Sequence, residues 1–168
     1  MKNKEMKVTH EFGPYINKDS KILILGSIPS VKSREYGFYY MHPQNRFWKI
    51  MSDLFEEEMP NTILDKKKFL KKHYIALWDV LDSCEIKGSS DVSIKNPKVN
   101  DIKEIINSTD VRKIFVTGKK ALELYNKYCY DDVLIEAIYL PSTSGANCAI
   151  SYENLRKKYE IIINYLKN

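Results

Sequence analysis

The sequence feature that most constrains the fold is an alternation of short apolar runs with amphipathic segments. Residues 21–25 (KILIL) and 113–117 (KIFVT) are apolar runs that end at Gly26 and Gly118, and a third run covers residues 133–140. Such runs predict buried strands. Apolar residues recur at helical spacing between them, within residues 45–55, 66–72, 101–107, 119–128 and 151–166. The alternation predicts an α/β fold, with a mainly parallel sheet of about four strands and helices on both faces.

The length predicts a single domain covering residues 1–168, since a second domain would lack a core of its own. The stretch 84–100, rich in Ser, Lys, Asn and Asp, predicts a long loop within it. No apolar run approaches the roughly 20 residues that cross a bilayer. The basic N-terminus, MKNKEMKVTH, does not lead into a secretory signal. We therefore expect no membrane contact and a cytoplasmic location, near the nucleoid in a prokaryote, and we expect a monomer.

The cysteines and the net charge limit the possible cofactors and partners. Cys84, Cys129 and Cys148 are widely spaced without a CxxC motif, which argues against a disulfide framework, a structural zinc ion and four-cysteine iron–sulfur ligation. We expect neither a metal nor an organic cofactor. The net charge of +5 favours polyanionic partners, although a compositional bias toward Lys, Ile, Asn and Tyr would produce the same excess.

Two loops follow predicted strands and are therefore candidates for the ligand site, because ligands of open parallel sheets bind beyond the carboxyl ends of the strands. The loop at residues 26–45 lacks both GxGxxG and GK[ST], which excludes the usual nucleotide cradles. The loop at residues 140–148 contains LPSTSGAN, whose hydroxyls and backbone N–H groups could contact a phosphate. A hydroxyl-rich turn that caps the last helix is the alternative.

Four segments together resemble the uracil-DNA glycosylase superfamily, and most closely its hypoxanthine-DNA glycosylase branch. They are residues 26–29 (GSIP), 39–48 (YYMHPQNRFW), 78–80 (WDV) and 140–144 (LPSTS), and residues 116–125 also resemble an internal strand and helix of the family. The sequence departs from the family at three positions. Ile28 stands where uracil-excising relatives carry Asp or Asn, Ser30 where glycine is common, and Gly145 where this branch usually has proline.

The resemblance implies a monofunctional glycosylase that flips a deaminated base, hypoxanthine in this branch, out of double-stranded DNA and hydrolyses its glycosidic bond. It assigns the catalytic role to Asn45. The implied base pocket contains Gly26, Ser27, Ile28, Pro29, Tyr40 and His42. The implied contacts to DNA phosphates and to the gap left by the flipped nucleotide are Ser142, Thr143, Ser144, Gly145, Ala146 and Asn147.

Each implied role has an alternative. Asn45 could hold the base through its amide, orient the attacking water, cap a helix, or combine these roles. Tyr40 could be a core aromatic residue rather than a base-stacking one, and His42 could be structural. The whole chain could instead be a uracil or thymine mismatch glycosylase, or a nucleic-acid-binding domain without turnover. The glycosylase interpretation requires Asn45 to lie beside residues 142–147 and its amide to face an open cavity.

Overall fold

Four of the strands form one parallel sheet. The computed structural model describes residues 6–9, 13–28, 31–86 and 95–167. The sheet has the strand order β3 (Ile75–Asp79), β2 (Ile22–Gly26), β6 (Lys113–Thr117), β7 (Ala137–Leu140), and all three pairings are parallel. The central strand β2 is buried over its whole length because both of its faces are covered, as in parallel sheets generally.

Helices cover both faces of this sheet. One face packs against α4 (Ile102–Ser108) and α5 (Lys119–Tyr128). The other packs against α2 (Phe47–Leu54), α3 (Ile63–Lys72), α7 (Tyr152–Tyr159) and α8 (Ile161–Leu166). Two further helices are short, α1 (Val31–Tyr36) and α6 (Tyr130–Val133). The predicted four-stranded parallel sheet between helical layers is confirmed.

A second sheet was not predicted. It is antiparallel, with the strand order β1 (Met6–Thr9), β4 (Leu81–Ile86), β5 (Lys95–Val99). The expectation of a loop throughout residues 84–100 is therefore wrong at both ends, and its middle, residues 87–94, lies outside the described residues. The polar composition of this stretch indicated a loop, but β5 is an edge strand, where polar residues and even Pro97 are tolerated because one side of the strand has no neighbour in this sheet.

The last strand of the parallel sheet is shorter than predicted. Residues 130–133 form the single turn α6, and Leu134 follows in the left-handed conformation at φ 61°, so β7 begins only at Ala137. The apolar pattern that begins at Val133 therefore spans a helix end and a strand. In contrast, Ser151 caps α7 as expected, because its Oγ accepts the Asn154 N–H at 3.3 Å.

Candidate active site

The carboxyl ends of the four parallel strands define one edge of the sheet. Gly26 is paired in register with Asp79, and Thr117 with Leu140. A Cβ atom at position 26 would lie 2.6 Å from Oδ1 of Asp79, so any larger residue there would force the Asp79 side chain to move. The loops at residues 26–45 and 140–148 both begin at this edge.

The two loops are in direct contact. The Thr143 hydroxyl donates a hydrogen bond to Oδ1 of Asn45 at 2.8 Å, and the Arg46 backbone N–H donates to the Thr143 carbonyl at 3.0 Å. Gly145 lies so close to Gln44 that an added Cβ would come within 2.8 Å of the Gln44 Cβ. The fold thus meets the requirement that residue 45 lie beside the segment 142–147.

The Asn45 side chain is half-buried, and hydrogen bonds fix its orientation. Its Oδ1 accepts two of them, from the backbone N–H of Phe47 at 2.9 Å and from the Thr143 hydroxyl. A backbone N–H can only donate, so the atom facing Phe47 must be the oxygen. Because Phe47 is the first residue of α2, Asn45 also satisfies one of the N–H groups left free at the helix start. The two hydrogens on Nδ2 remain as donors.

Arg46 ties the second loop to the first. Its guanidinium donates to three backbone carbonyls, those of Ser144 at 3.2 Å, Asn147 at 2.8 Å and Ile150 at 3.1 Å. The sequence analysis gave Arg46 no role. The HPQNRFW segment contains an arginine, but no side-chain pattern identifies carbonyl partners about 100 positions later in the chain.

Tyr40 is held between the aromatic core and the sheet edge. Its ring stacks on Phe47 with centroids 4.1 Å apart, so one ring face is covered by the protein. Burial and the nearby Asp79 carboxylate raise the pKa of Tyr40. Its backbone is in the left-handed region at φ 56°, a conformation that is costly for a bulky residue and that clusters at functional sites. These contacts give Tyr40 the packing of a core aromatic residue at the border of the site.

Asp79 is a buried carboxylate at this edge that the sequence analysis had included only as part of the WDV segment. It is 4% exposed, and its charge raises the pKa of Tyr40 and, after the larger effect of burial, that of Tyr39. A signal existed in the sequence, since an acidic residue directly follows the apolar run 75–78. Asp79 therefore joins the candidate site residues.

The start of the first loop is joined to the segment after β3 through its backbone. The carbonyls of Gly26 and Ser27 accept the N–H groups of Val80 and Leu81 at 2.8 and 3.1 Å. Ser27 is buried, Ile28 is half-buried against the core, and Pro29 lies outside the described residues.

His42 is exposed and organises the turn before Asn45. Its Nδ1 accepts the Gln44 N–H at 3.1 Å, and its carbonyl accepts the Asn45 N–H at 2.9 Å. These bonds fit the structural alternative for His42.

The hydroxyls of the second loop point in two directions. Ser142 Oγ accepts the Ser144 N–H at 3.2 Å, and Ser144 Oγ accepts the Ala146 N–H at 3.2 Å. Both serines are half-buried and keep their hydroxyl hydrogens as donors. Thr143 between them is 1% exposed and points inward, which differs from the surface position expected of a phosphate contact. Ala146 is exposed, and the Asn147 amide donates to the Ser142 carbonyl at 3.0 Å.

The comparison with known proteins agrees with this geometry. The family model described as the uracil DNA glycosylase superfamily matches residues 14–167, and the chain therefore belongs to that superfamily. The predicted resemblance is confirmed, and so is the prediction of a DNA glycosylase, an enzyme that acts on DNA.

Individual relatives narrow the similarity within the superfamily. The chain is 33% identical to a hypoxanthine DNA glycosylase of Methanosarcina acetivorans, over 92% of this chain and 97% of the relative. It is 31% identical to a hypoxanthine DNA glycosylase of Methanosarcina barkeri, over 81% and 86%. A solution NMR structure of a candidate uracil DNA glycosylase from Methanosarcina acetivorans superposes with a TM-score of 0.80 at 31% identity, over 94% of this chain and 97% of that one.

In the part of the chain that the structure describes, no three His, Cys, Asp or Glu side chains are grouped to hold a metal ion. None of the helices within the described residues is long and apolar enough to cross a membrane.

Proposed function

We propose that this chain is a monofunctional, single-domain DNA glycosylase that flips a deaminated base out of duplex DNA and hydrolyses its N-glycosidic bond. The base we propose is hypoxanthine, the base named for two similar relatives. We further propose that the enzyme acts as a monomer in the cytoplasm, without metal or cofactor. The observation that carries the proposal is the Asn45 amide, held with its NH₂ group as donor where the two loops meet.

The chemistry requires a donor at this place. Water adds its oxygen to C1′ of the sugar while the bond from C1′ to N9 of the base breaks. The base leaves with the bonding electrons and takes up one proton, and the other hydrogen of the water stays on C1′ as part of a hydroxyl. Negative charge grows on the base in the transition state, and a fixed donor stabilises it. Hypoxanthine offers O6, N7 and N3 as acceptors for the Asn45 N–H groups.

The surrounding residues would form the pocket that receives the flipped nucleotide. Gly26 and Asp79 lie at the sheet edge below it, with Tyr40 at its border. Ser142 and Ser144 keep hydroxyl donors for the flanking phosphates. Ala146, exposed in the same loop, would face the gap in the stack. Its small side chain fills that gap poorly, so we expect a preference for base pairs that are already unstable.

The alternative substrate is uracil in a mismatch, because a structural relative is described as a candidate uracil DNA glycosylase. Ile28 counts against it, since it lacks the polar side chain that uracil-excising relatives carry there. The two substrates are close in chemistry, and a direct assay separates them.

The test is excision from labelled duplexes that contain one hypoxanthine, xanthine or uracil opposite each normal base, followed by alkaline cleavage of abasic sites. We expect release of hypoxanthine. Because a monofunctional glycosylase forms no Schiff base with the DNA, we also expect that borohydride traps no covalent complex. Asn45→Ala should abolish excision and leave DNA binding intact, whereas Asn126→Ala, an exposed asparagine of α5, should not affect it. Exclusive release of uracil would refute the substrate assignment, and tight binding without excision would support the non-catalytic alternative.

A further inference from the structure

We infer that Thr143 is a positioning residue that holds the Asn45 amide with its oxygen inward, so that Asn45 acts on its substrate only as a hydrogen-bond donor. This inference rests on the proposed function. It reassigns Thr143, which the sequence resemblance placed among the phosphate contacts. It also removes the choice that the sequence left open between a donor role and an acceptor role for the amide.

The start of α2 fixes the orientation of the Asn45 amide. The Phe47 N–H is fixed by the helix and must donate, so it determines which end of the Asn45 amide faces it. With this single hydrogen bond, the amide could still rotate about its oxygen. The Thr143 hydroxyl supplies the second bond to the same oxygen, at 2.8 Å, and completes its pair of acceptor positions.

The environment of Thr143 makes the direction of its bond unambiguous. Its side chain is 1% exposed, and the atom it contacts is a carbonyl oxygen, so the hydroxyl must be the donor. Its neighbours Ser142 and Ser144 accept backbone N–H groups within their own loop and remain half-buried. The loop therefore separates two tasks, with serine hydroxyls available to DNA and the threonine hydroxyl committed to Asn45.

This arrangement has a chemical consequence for Asn45. An oxygen that already accepts two hydrogen bonds has no lone pair left to orient the attacking water, so the amide acts through its NH₂ group. The same two bonds polarise the amide and make its N–H groups better donors. Both effects favour a role in which the Asn45 NH₂ group only donates hydrogen bonds. The acceptor is either the departing base or the oxygen of the attacking water.

The test compares single-turnover excision rates with DNA dissociation constants for Thr143→Val, Thr143→Ser and Asn45→Asp. Thr143→Val keeps the shape of the side chain but removes the donor. We expect its excision rate to fall about 10- to 100-fold with a dissociation constant within about threefold of wild type, because the lost interaction matters only in the transition state. Thr143→Ser should recover most of the rate. Thr109→Val is the matched control, since Thr109 is also buried and donates its hydroxyl to the Ile105 carbonyl at 2.7 Å, away from the site.

The Asn45→Asp substitution separates donor from acceptor without touching Thr143. Aspartate keeps an oxygen for Phe47 and Thr143 but replaces the NH₂ group by a second oxygen, so we expect excision to fall at least about 100-fold. An Asn45→Asp enzyme as active as wild type would overturn the donor assignment. A Thr143→Val enzyme with the wild-type rate, or one that serine does not rescue, would overturn the positioning role.

A second readout is independent of catalysis. The side-chain NH₂ resonances of Asn45 in the ¹⁵N spectrum of the protein should shift and exchange faster with water in Thr143→Val, and should be restored in Thr143→Ser. If the wild-type enzyme excises no base, the proposed function fails, whereas unchanged Asn45 resonances in a folded Thr143→Val protein refute the positioning role itself. If Thr143→Val does not fold, a folded Thr143→Ser enzyme that has lost excision still overturns the positioning role, and Asn45→Asp still tests the donor assignment.

Discussion

Removal of the Arg46 side chain should release the second loop from the first. Arg46→Ala deletes three hydrogen bonds to the carbonyls of Ser144, Asn147 and Ile150. Each contributes roughly 1 kcal/mol, because the guanidinium is half-buried and water can replace part of what is lost. We expect the free energy of unfolding to fall by about 3 kcal/mol, which for a chain of this size lowers Tm by roughly 6–12 °C.

The effect on catalysis should exceed what the lost stability explains. The Arg46 backbone also binds the Thr143 carbonyl, and Thr143 holds Asn45, so a displaced second loop misplaces the amide. Misplacement of a reacting group by about 1 Å can reduce a rate about 100-fold. We expect a loss of this order in single-turnover excision at a temperature well below the lowered Tm. Arg46→Lys should recover little, because a single ammonium group cannot reach three divergent carbonyls.

The matched control is Arg156→Ala. Arg156 lies on α7, where its half-buried side chain forms salt bridges with the exposed Glu153 and Glu160 at 3.1 and 3.2 Å. Such pairs contribute little, so its loss should change neither Tm nor excision measurably. Thermal unfolding and excision of both variants are measured in the same buffer. An Arg46→Ala enzyme with wild-type Tm and rate would refute the idea that the guanidinium holds the loops together.

Three further predictions concern the loop contact, a helix end and a buried thiol. Gly145→Ala should slow excision and cost about 1–3 kcal/mol by pressing on Gln44, whereas Gly13→Ala, which has open space around it, should be neutral in the same excision and urea-denaturation assays. Leu134→Gly should raise the free energy of unfolding, measured by urea denaturation, by about 0.5–1 kcal/mol, because the exposed Leu134 has a left-handed backbone conformation that glycine adopts without strain. A loss of stability would show that the side chain contributes more than the backbone strain costs. Burial raises the pKa of the Cys129 thiol from 9.0 to about 11, so the folded state retains a proton that the unfolded state releases, and this contribution is complete below pH 9 and lost as the pH rises toward 11. The free energy of unfolding, measured by urea denaturation at several pH values, should therefore fall less between pH 9 and 11 for Cys129→Ala than for wild type. The same fall in both proteins would contradict this.

The parts of the fold that could be predicted depend on local pattern. The run KIFVT forms β6 over the predicted residues, and residues 119–128 form α5 as expected, because their apolar spacing is set within one element. The antiparallel strand β5 was missed because Lys, Asn and Pro dominate it and its order comes from pairing with β4. The start of β7 was misplaced because a hydrophobic residue, Leu134, occupies a helix end where glycine is the usual signal.

The site shows the same division. The sequence motifs predicted that the Asn45 amide lies beside the second loop, because both segments are recognised by the types of their residues. The inward turn of Thr143 and the reach of Arg46 could not be predicted, because each depends on atoms about 100 residues apart in the chain. Asp79 was available in the sequence, but nothing local showed that it would lie against Gly26 and close enough to Tyr40 to raise the pKa of that residue.

The use of backbone carbonyls to join the loops has a consequence for how the site can vary. Every residue type has a carbonyl, so the Arg46 contacts tolerate side-chain changes at 144, 147 and 150 as long as the path of the chain is kept. Residue identity is constrained more strongly at Thr143, whose hydroxyl binds Asn45, and at Gly145, where a Cβ atom would press on Gln44. Position 146 is exposed and has neither constraint. Under the proposed function, substitutions there should therefore change how the loop fills the gap left by the flipped base, while the Asn45 amide keeps its place.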